Sequence, residues 1–231
     1  MIDYALVIDL EVDLNGDRKD PSPYNKDNTL VAIGYTYRAL DGSPIWNSDG
    51  AVYIKKFPID NYYLYEFKKA INEATYIVAH NAKFDLAWLR EVGIECNNKV
   101  IDTMINEYVL NKGIRSKLSL DALSEKYKVI RKQSLLGDAL SKGLNYSDMS
   151  EEDQKKYLYY DVMSTAEVFE KQQKRFKRSE NKSLIPIRDL MCEFCSVLTD
   201  IERSGMAIDL QVLEQVDLEY EQEQAQLNSY L

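Results

Sequence analysis

Two acidic residues near the start of the chain have a spacing that suits metal-ion chemistry. Asp9 and Glu11 follow the apolar run Tyr4–Ile8 and stand two residues apart, so in a β-strand both side chains project from the same face. Burying two carboxylates at the end of an apolar strand is costly unless cations or hydrogen-bond donors meet them. The pair therefore indicates a cation site, although for this pair alone a strand that simply leaves the core is an open alternative.

Two further acids occur where they could add to such a site. Asp85 closes the segment His80–Asp85, at the junction of a predicted strand and helix, where the positive end of the helix dipole favours a carboxylate. Tyr157 and Asp161 are four residues apart and share one face of a predicted helix. Each signal is weak by itself, because acids are common in first helical turns and because a tyrosine-rich helix can pack in the core with one solvated acid.

Hydrophobic periodicity and turn residues predict the elements that must position these side chains. The predicted strands are 4–11, 29–37, 51–55, 75–79 and a short one near 100–101. The predicted helices are 64–73, 82–91, 103–110, 119–127, 151–176, 188–203 and 210 to the end. Three antiparallel strands followed by strand–helix units predict an α/β fold, with a mixed β-sheet flanked by helices and a C-terminal helical appendage.

The composition limits the class of protein. The chain is 45% hydrophobic and 29% charged, as in an ordinary globular protein. Its longest apolar stretch falls well short of the roughly 20 residues that a membrane span needs, and three cysteines do not make a disulfide framework. The net charge of −9 leaves nucleic acid open as a substrate, because cations held by carboxylates can themselves meet phosphates. The composition turns polar near 179–186, which predicts two domains, 1–180 and 186–231.

Taken in order, the three motifs resemble those of the DEDD superfamily of 3′→5′ exonucleases, which has a ribonuclease H-like fold. D-x-E, N-x-x-F-D and Y-x-x-x-D are most similar to the proofreading domain of family A DNA polymerases, phage enzymes included. The resemblance spans 4–169 and includes the stretches 101–104 and 118–127. A second subtype of the superfamily carries a histidine shortly before the last aspartate. Lys156 and Tyr157 occupy that neighbourhood here, so the chain resembles the tyrosine subtype.

This resemblance implies two divalent metal ions, Mg²⁺ or Mn²⁺, and a role for each motif residue. Asp9, Glu11 and Asp161 would hold the ion that activates water, and Asp9 would bridge to a second ion that Asp85 helps to place. Two such ions stabilise the attacking and the leaving oxygen of a phosphoryl transfer. A tyrosine hydroxyl, with an unperturbed pKa of about 10, is a poor general base at neutral pH. Tyr157 would therefore orient the attacking water.

The implied substrate is the 3′ end of single-stranded DNA. Candidate contacts to it lie beside the motifs and in the basic loop 111–117, and they are Leu10, His80, Asn81, Lys83, Arg115 and Lys117. A structural role at a strand end is an equal alternative for His80. The basic run from Lys171 to Arg178 lies at the end of a predicted helix, where cations are favoured for other reasons.

The C-terminal segment resembles the entry into a family A polymerase domain, with Asp209 as a helix N-cap. We therefore expect the partner of this chain to be a polymerase domain missing from it, so that this chain alone does not polymerise. A cytoplasmic location is expected, in the bacterial host if the protein is phage-encoded. Two alternatives stay open: an exoribonuclease of the ribonuclease D type, which would share all the metal ligands, and a non-catalytic scaffold, against which the presence of every motif residue argues.

Overall fold

A computed structural model describes residues 3–15, 20–45, 62–130 and 143–230. The chain divides into two compact units, Met1–Asp200 and Ile201–Leu231. In the described part of the chain, no helix combines the length and the apolar character that crossing a bilayer requires.

Among the described residues, the first unit contains a mixed sheet of four strands in the order β2-β1-β3-β4. Its strands are β1 (Tyr4–Asp13), β2 (Thr29–Ala39), β3 (Tyr76–Ala79) and β4 (Lys99–Asp102). β1 pairs antiparallel with β2 and parallel with β3, which pairs parallel with β4. The mixed sheet predicted from the sequence is therefore confirmed, while the predicted strand 51–55 lies outside the described residues.

Helices cover both faces of this sheet and continue to the C-terminus. They are α1 (Tyr62–Glu73), α2 (Ala82–Glu91), α3 (Thr103–Leu110), α4 (Leu120–Tyr127), α5 (Glu151–Phe176), α6 (Ile185–Ser204) and α7 (Leu210–Ser229), with 3₁₀ turns at Tyr146–Asp148 and Ser179–Leu184. The predicted N-cap Ser150 is confirmed for α5, because its side chain accepts from the Asp153 amide. Asp209 likewise caps α7 by accepting from the amides of Gln211 and Val212.

Alternation along β1 assigns its residues to two faces. Leu6, Ile8 and Leu10 pack in the core with residues of α1 and α2. Ala5 and Val7 pack with Phe169 of α5 on the opposite face. Because successive side chains alternate, Asp9 and Glu11 must share the α5 face, so the strand that builds the core also directs two acids towards one helix.

The predicted boundary near residues 180–186 stays a prediction about domains. α6 begins at Ile185, but Cys192, Cys195 and Thr199 of this helix are buried within the first unit. The buried cysteines are unpaired thiols, as the sequence predicted.

Candidate active site

Three carboxylates from distant parts of the sequence meet at one end of the sheet. Ligand oxygens of Asp9, Glu11 and Asp161 all lie within 4.8 Å of one another. Asp9 and Glu11 reach this point from β1 and Asp161 reaches it from α5, which packs on the same face. Carboxylate oxygens are hard ligands, and a few of them suffice for Mg²⁺, which keeps several waters. The donor set therefore fits Mg²⁺ or Mn²⁺, whose charge would offset the repulsion among the three acids.

A glycine allows α5 to approach the sheet at this point. Gly34 of β2 is the register partner of Asp9. A β-carbon on Gly34 would lie 2.6 Å from Val162 Cγ2 and 2.8 Å from Leu158 Cγ, which is closer than side chains tolerate. Val162 directly follows Asp161 in the helix. The missing side chain at residue 34 therefore sets how close Asp161 comes to β1.

Asp85 stands next to this cluster from the other side. It lies in the first turn of α2 and is 3% exposed. Burial raises the pKa of its carboxyl well above the ordinary value, and the charges of Asp9 and then Asp102 raise it further. The Leu10 amide acts in the opposite direction by donating to the Asp85 carboxylate. A cation beside Asp9 and Asp85 would favour the ionised form of both acids.

Tyr157 lies one helical turn before Asp161 and completes the motif. It is 5% exposed, and its ring meets that of Tyr146 edge-on with centroids 6.1 Å apart. Both rings face a cavity of about 280 Å³ that opens beside the three acids. The residues that line it are Asp9, Leu10, Glu11, Val12, Leu14, Phe84, Asn145, Tyr146, Tyr157 and Asp161.

The segment before α5 closes one side of this cavity, a role that no local pattern in the sequence predicts. The Ser147 amide donates to Asp13 Oδ1 at 3.1 Å, and the Leu14 amide donates to Asn145 Oδ1 at 3.3 Å. These bonds fix Tyr146 against the end of β1. Leu14, directly after β1, therefore joins Asn145 and Tyr146 in the wall of the cavity.

A sequence model of the 3′-5′ exonuclease family of family A DNA polymerases matches residues 23–177. The chain belongs to this family. The match includes Asp85, Tyr157 and Asp161 but begins after Asp9 and Glu11, so the geometry is what joins the D-x-E pair to the other two motifs. The resemblance to the proofreading domain of family A polymerases is thereby confirmed, while the phage-like character expected of it stays a prediction.

The chain is similar to a DNA polymerase in sequence and to an exoribonuclease in fold. The chain is 28% identical over 186 residues to DNA polymerase I of Borreliella burgdorferi, covering 80% of this chain and 19% of that protein. It thus spans about a fifth of the curated relative that it matches. Among solved structures, NrnC of Brucella melitensis bound to pGG has a TM-score of 0.62, with 17% identity, 90% of this chain covered and 88% of that chain. Escherichia coli RNase D, an exoribonuclease, has a TM-score of 0.58 and 17% identity. The match covers 85% of this chain and 45% of that chain. These two likenesses establish the ribonuclease H-like fold.

His80 occupies a structural position in this exonuclease. Its Nδ1 lies 2.8 Å from Thr103 Oγ1, and a backbone hydrogen bond to Leu118 holds the ring as well. Burial lowers the pKa of the imidazole to about 4. His80 is therefore a neutral link between β3, α3 and the loop that ends at Leu118.

The other candidate DNA contacts are spread over the neighbourhood of the site. Leu10 lines the cavity between the two acids. Asn81 is exposed at the start of α2, and Lys83 is half-buried in its first turn. Arg115 and Lys117 are exposed in the loop that His80 anchors at Leu118. These contacts remain predictions.

Most of the basic run at the end of α5 is engaged within the protein. Lys174 pairs with Glu170 and Lys177 with Asp41. Arg175 donates to Glu107 at 3.2 Å and to the Tyr127 hydroxyl at 2.6 Å. These ion pairs and hydrogen bonds give the three basic side chains a structural role within the protein.

Proposed function

We propose that this chain is a metal-dependent 3′→5′ exonuclease that removes nucleotides from the 3′ ends of single-stranded or mismatched DNA. The observation that carries the proposal is the meeting of Asp9, Glu11 and Asp161 within 4.8 Å. Asp85 is close enough to Asp9 for their charges to interact. Four acids in this arrangement offer two adjacent positions for divalent cations.

The residues of the chain divide the work of hydrolysis. Two divalent ions, when bound, would lower the pKa of a water molecule and neutralise charge on the phosphate. Asp9, Glu11 and Asp161 would hold one ion, and Asp85 with Asp9 would help to place the other. The Tyr157 hydroxyl, one turn from Asp161, orients the attacking water along the line to phosphorus. The 3′-oxygen of the preceding nucleotide leaves, so the product carries a 5′-phosphate.

The narrow cavity supports a preference for unpaired ends. At about 280 Å³ it lies beside the acids and is walled by Leu10, Phe84 and Tyr146. A terminal nucleotide must leave its duplex partner to reach such a wall, at a cost of a few kcal/mol for a paired base and less for a mismatched one. This difference would make the nuclease a proofreader.

A polymerase context accounts for the DNA substrate. The matching segment of DNA polymerase I is a fifth of that protein, and we assign polymerisation to a separate polymerase domain with which this exonuclease acts. The location would then be the cytoplasm, where bacterial DNA is replicated.

RNA is the second candidate substrate. The fold shared with Escherichia coli RNase D favours it, because that protein is an exoribonuclease. A non-catalytic scaffold is disfavoured, because the acids are present and are brought together.

A substrate comparison tests the proposal. Matched 5′-labelled DNA and RNA strands, a paired duplex end and a mismatched one are incubated with Mg²⁺ or with EDTA. We expect shortening of single-stranded DNA in Mg²⁺ alone, a faster reaction at the mismatched end than at the paired end, and slow attack on RNA. The variant Asp9→Ala with Glu11→Ala should be inactive, and the matched variant Glu219→Ala with Glu221→Ala, on exposed α7, should be fully active. Faster RNA degradation would move the assignment to the exoribonucleases, and cleavage in excess EDTA would remove the two-metal account.

A further inference from the structure

Asp102 receives four backbone hydrogen bonds from two different helices. Its Oδ1 accepts from the amides of Asn81 at 3.1 Å, Met104 at 2.7 Å and Ile105 at 3.4 Å. Its Oδ2 accepts from the Ala82 amide at 2.9 Å. The side chain belongs to β4 and is buried, with 1% exposed. One carboxylate therefore caps α2 and α3 together.

The sheet topology explains how one residue can reach both helices. β3 and β4 are parallel neighbours, and Ala79 is the register partner of Asp102. The helices that follow these strands therefore begin side by side. α3 follows Asp102 directly, and α2 begins two residues after His80.

The start of α2 depends on the hydrogen bonds that the Asp102 carboxylate accepts, because the N-cap residue Asn81 makes no capping bond with its own side chain. Asn81 has a left-handed backbone (φ 65°, ψ 51°) and makes no side-chain capping bond. Residues other than glycine adopt this conformation at an energetic cost and keep it where surrounding contacts impose it. Asp102 supplies two such contacts, to the amides of residues 81 and 82. The direction of α2, and with it the place of Asp85 in its first turn, is fixed from β4.

We infer that Asp102 is a positioning residue for the cation position at Asp85, because the backbone hydrogen bonds that its carboxylate accepts fix the first turn of α2. This inference rests on the proposed function, since it concerns the second cation of the same site. It assigns Asp102 no contact with substrate.

The two oxygens of Asp102 have separable partners, which makes a sharp variant possible. Asp102→Asn can keep the three hydrogen bonds at Oδ1. The NH₂ group that replaces Oδ2 is a donor, however, so it cannot accept the hydrogen bond from the Ala82 amide. Asp102→Ser is a second variant that guards against misfolding, since serine is a favoured N-cap for α3 and is too short to reach Ala82.

Glu107 provides the matched control. It is a fully buried acid on α3, 2.5 Å from Lys126 Nζ and 2.5 Å from the Tyr127 hydroxyl. Glu107→Gln breaks a buried ion pair and lowers stability while leaving α2 untouched. Any loss of Mn²⁺ affinity that follows from general destabilisation should therefore also appear in Glu107→Gln.

The experiment is a Mn²⁺ titration of the full chain, followed by electron paramagnetic resonance, beside urea unfolding of the same samples. In the wild type we expect two bound ions. Asp102→Asn and Asp102→Ser should keep the tighter ion and bind the weaker one about 10- to 100-fold less well, as for other residues that orient metal ligands. Glu107→Gln should unfold at lower urea and bind both ions as the wild type does.

Three results would overturn the inference. Wild-type affinity for both ions in the two Asp102 variants would show that Asp102 has no role at the site. An equal loss of affinity in Glu107→Gln would reduce the effect to stability. Absence of any Mn²⁺ binding by the wild type would overturn the proposed function, and the inference with it, and is distinct from the first two results.

Discussion

At the level of single residues, the proposed function gives the acids and the tyrosine different roles. Asp9, Glu11 and Asp161 form the one cluster of possible metal ligands in the described residues. Tyr157 is buried one helical turn before Asp161, and its ring packs on that of Tyr146. Loss of an acid and loss of the phenol should therefore have different consequences.

The variant Tyr157→Phe removes the hydroxyl and keeps the ring that packs on Tyr146. Since the hydroxyl orients water and does not hold a cation, the rate should fall by about 10²- to 10⁴-fold while Mn²⁺ binding stays at the wild-type level. Single-turnover cleavage of a DNA strand and a Mn²⁺ titration measure the two quantities. An unchanged rate would refute the role given to Tyr157.

His80 offers a second test, because it is the only histidine in the chain. Its pKa is about 4 in the folded protein and about 6.5 in an unfolded chain. The unfolded state therefore binds the proton more readily, and the stability associated with neutral His80 is complete above pH 6.5 and is lost as pH falls towards 4. The loss between pH 7 and pH 5 should be about 2 kcal/mol.

The C2 proton of His80 gives one NMR signal whose titration can be followed directly. Urea unfolding at pH 7 and pH 5, compared with His80→Gln, isolates the contribution of this residue from that of the acids. A folded-state midpoint between 6 and 7 would mean that the ring is solvated, and the role as a direct substrate contact would then be favoured.

At the scale of elements, alternation along β1 was enough to predict that Asp9 and Glu11 share one face, because strand periodicity is a local property. The helix bearing Tyr157 and Asp161 was predicted with its observed bounds, 151–176, since its cap and its amphipathic spacing are also local. The approach of α5 to β2 is not local. It depends on Gly34, whose only sequence signal is an isolated glycine inside a predicted strand, which often marks a close approach.

The role of Asp102 could not be predicted for the same reason. Two of its four bonds join residues about 20 positions apart in sequence, which the parallel pairing of β3 with β4 brings together. The wall formed by Asn145 and Tyr146 likewise depends on hydrogen bonds to Asp13 and Leu14, more than 100 residues earlier. Local patterns thus predicted the elements and the acids, and tertiary contacts determine how the acids are held.

The variant Gly34→Ala tests the close approach. The added methyl group would overlap Val162 and Leu158, so we expect a loss of about 1–3 kcal/mol in unfolding free energy. It should also displace Asp161 from β1 and slow cleavage by up to about 100-fold.

Gly93→Ala is the control for this variant. Gly93 has φ of +74° and open space around it, so alanine there is strained without touching α5. Chemical unfolding should show that both variants are less stable than the wild type. Cleavage assays should show slower DNA cleavage for Gly34→Ala and wild-type cleavage for Gly93→Ala. Equal activity in the two would mean that α5 does not need the glycine to place Asp161.

At the scale of the whole molecule, a net charge of −9 has to be reconciled with a polyanionic substrate. Part of that charge is concentrated at the site, where Asp9, Glu11, Asp85 and Asp161 repel one another in the absence of cations. Divalent ions should therefore stabilise the fold as well as attract the substrate. A ligand at 100 times its dissociation constant adds about 2.7 kcal/mol to stability.

Thermal unfolding with and without Mn²⁺ measures this coupling. The melting temperature of the wild type should rise with Mn²⁺ concentration. The variant Asp9→Ala with Glu11→Ala should melt no lower than the metal-free wild type, because mutual repulsion is removed, and should not respond to Mn²⁺. If Mn²⁺ raised the melting temperature of this variant as much as that of the wild type, the ions would bind elsewhere on the protein.

The polarity and chemistry of cleavage decide whether this chain is a 3′→5′ exonuclease. A single-stranded DNA carrying a 5′ label is digested in Mg²⁺, and the released nucleotides are identified by mass spectrometry, with a second strand blocked at its 3′ end. We expect a ladder that shortens from the 3′ end and releases mononucleotides with a 5′-phosphate, while the blocked strand stays intact. Nucleotides bearing a 3′-phosphate, or degradation of the blocked strand, would contradict this assignment.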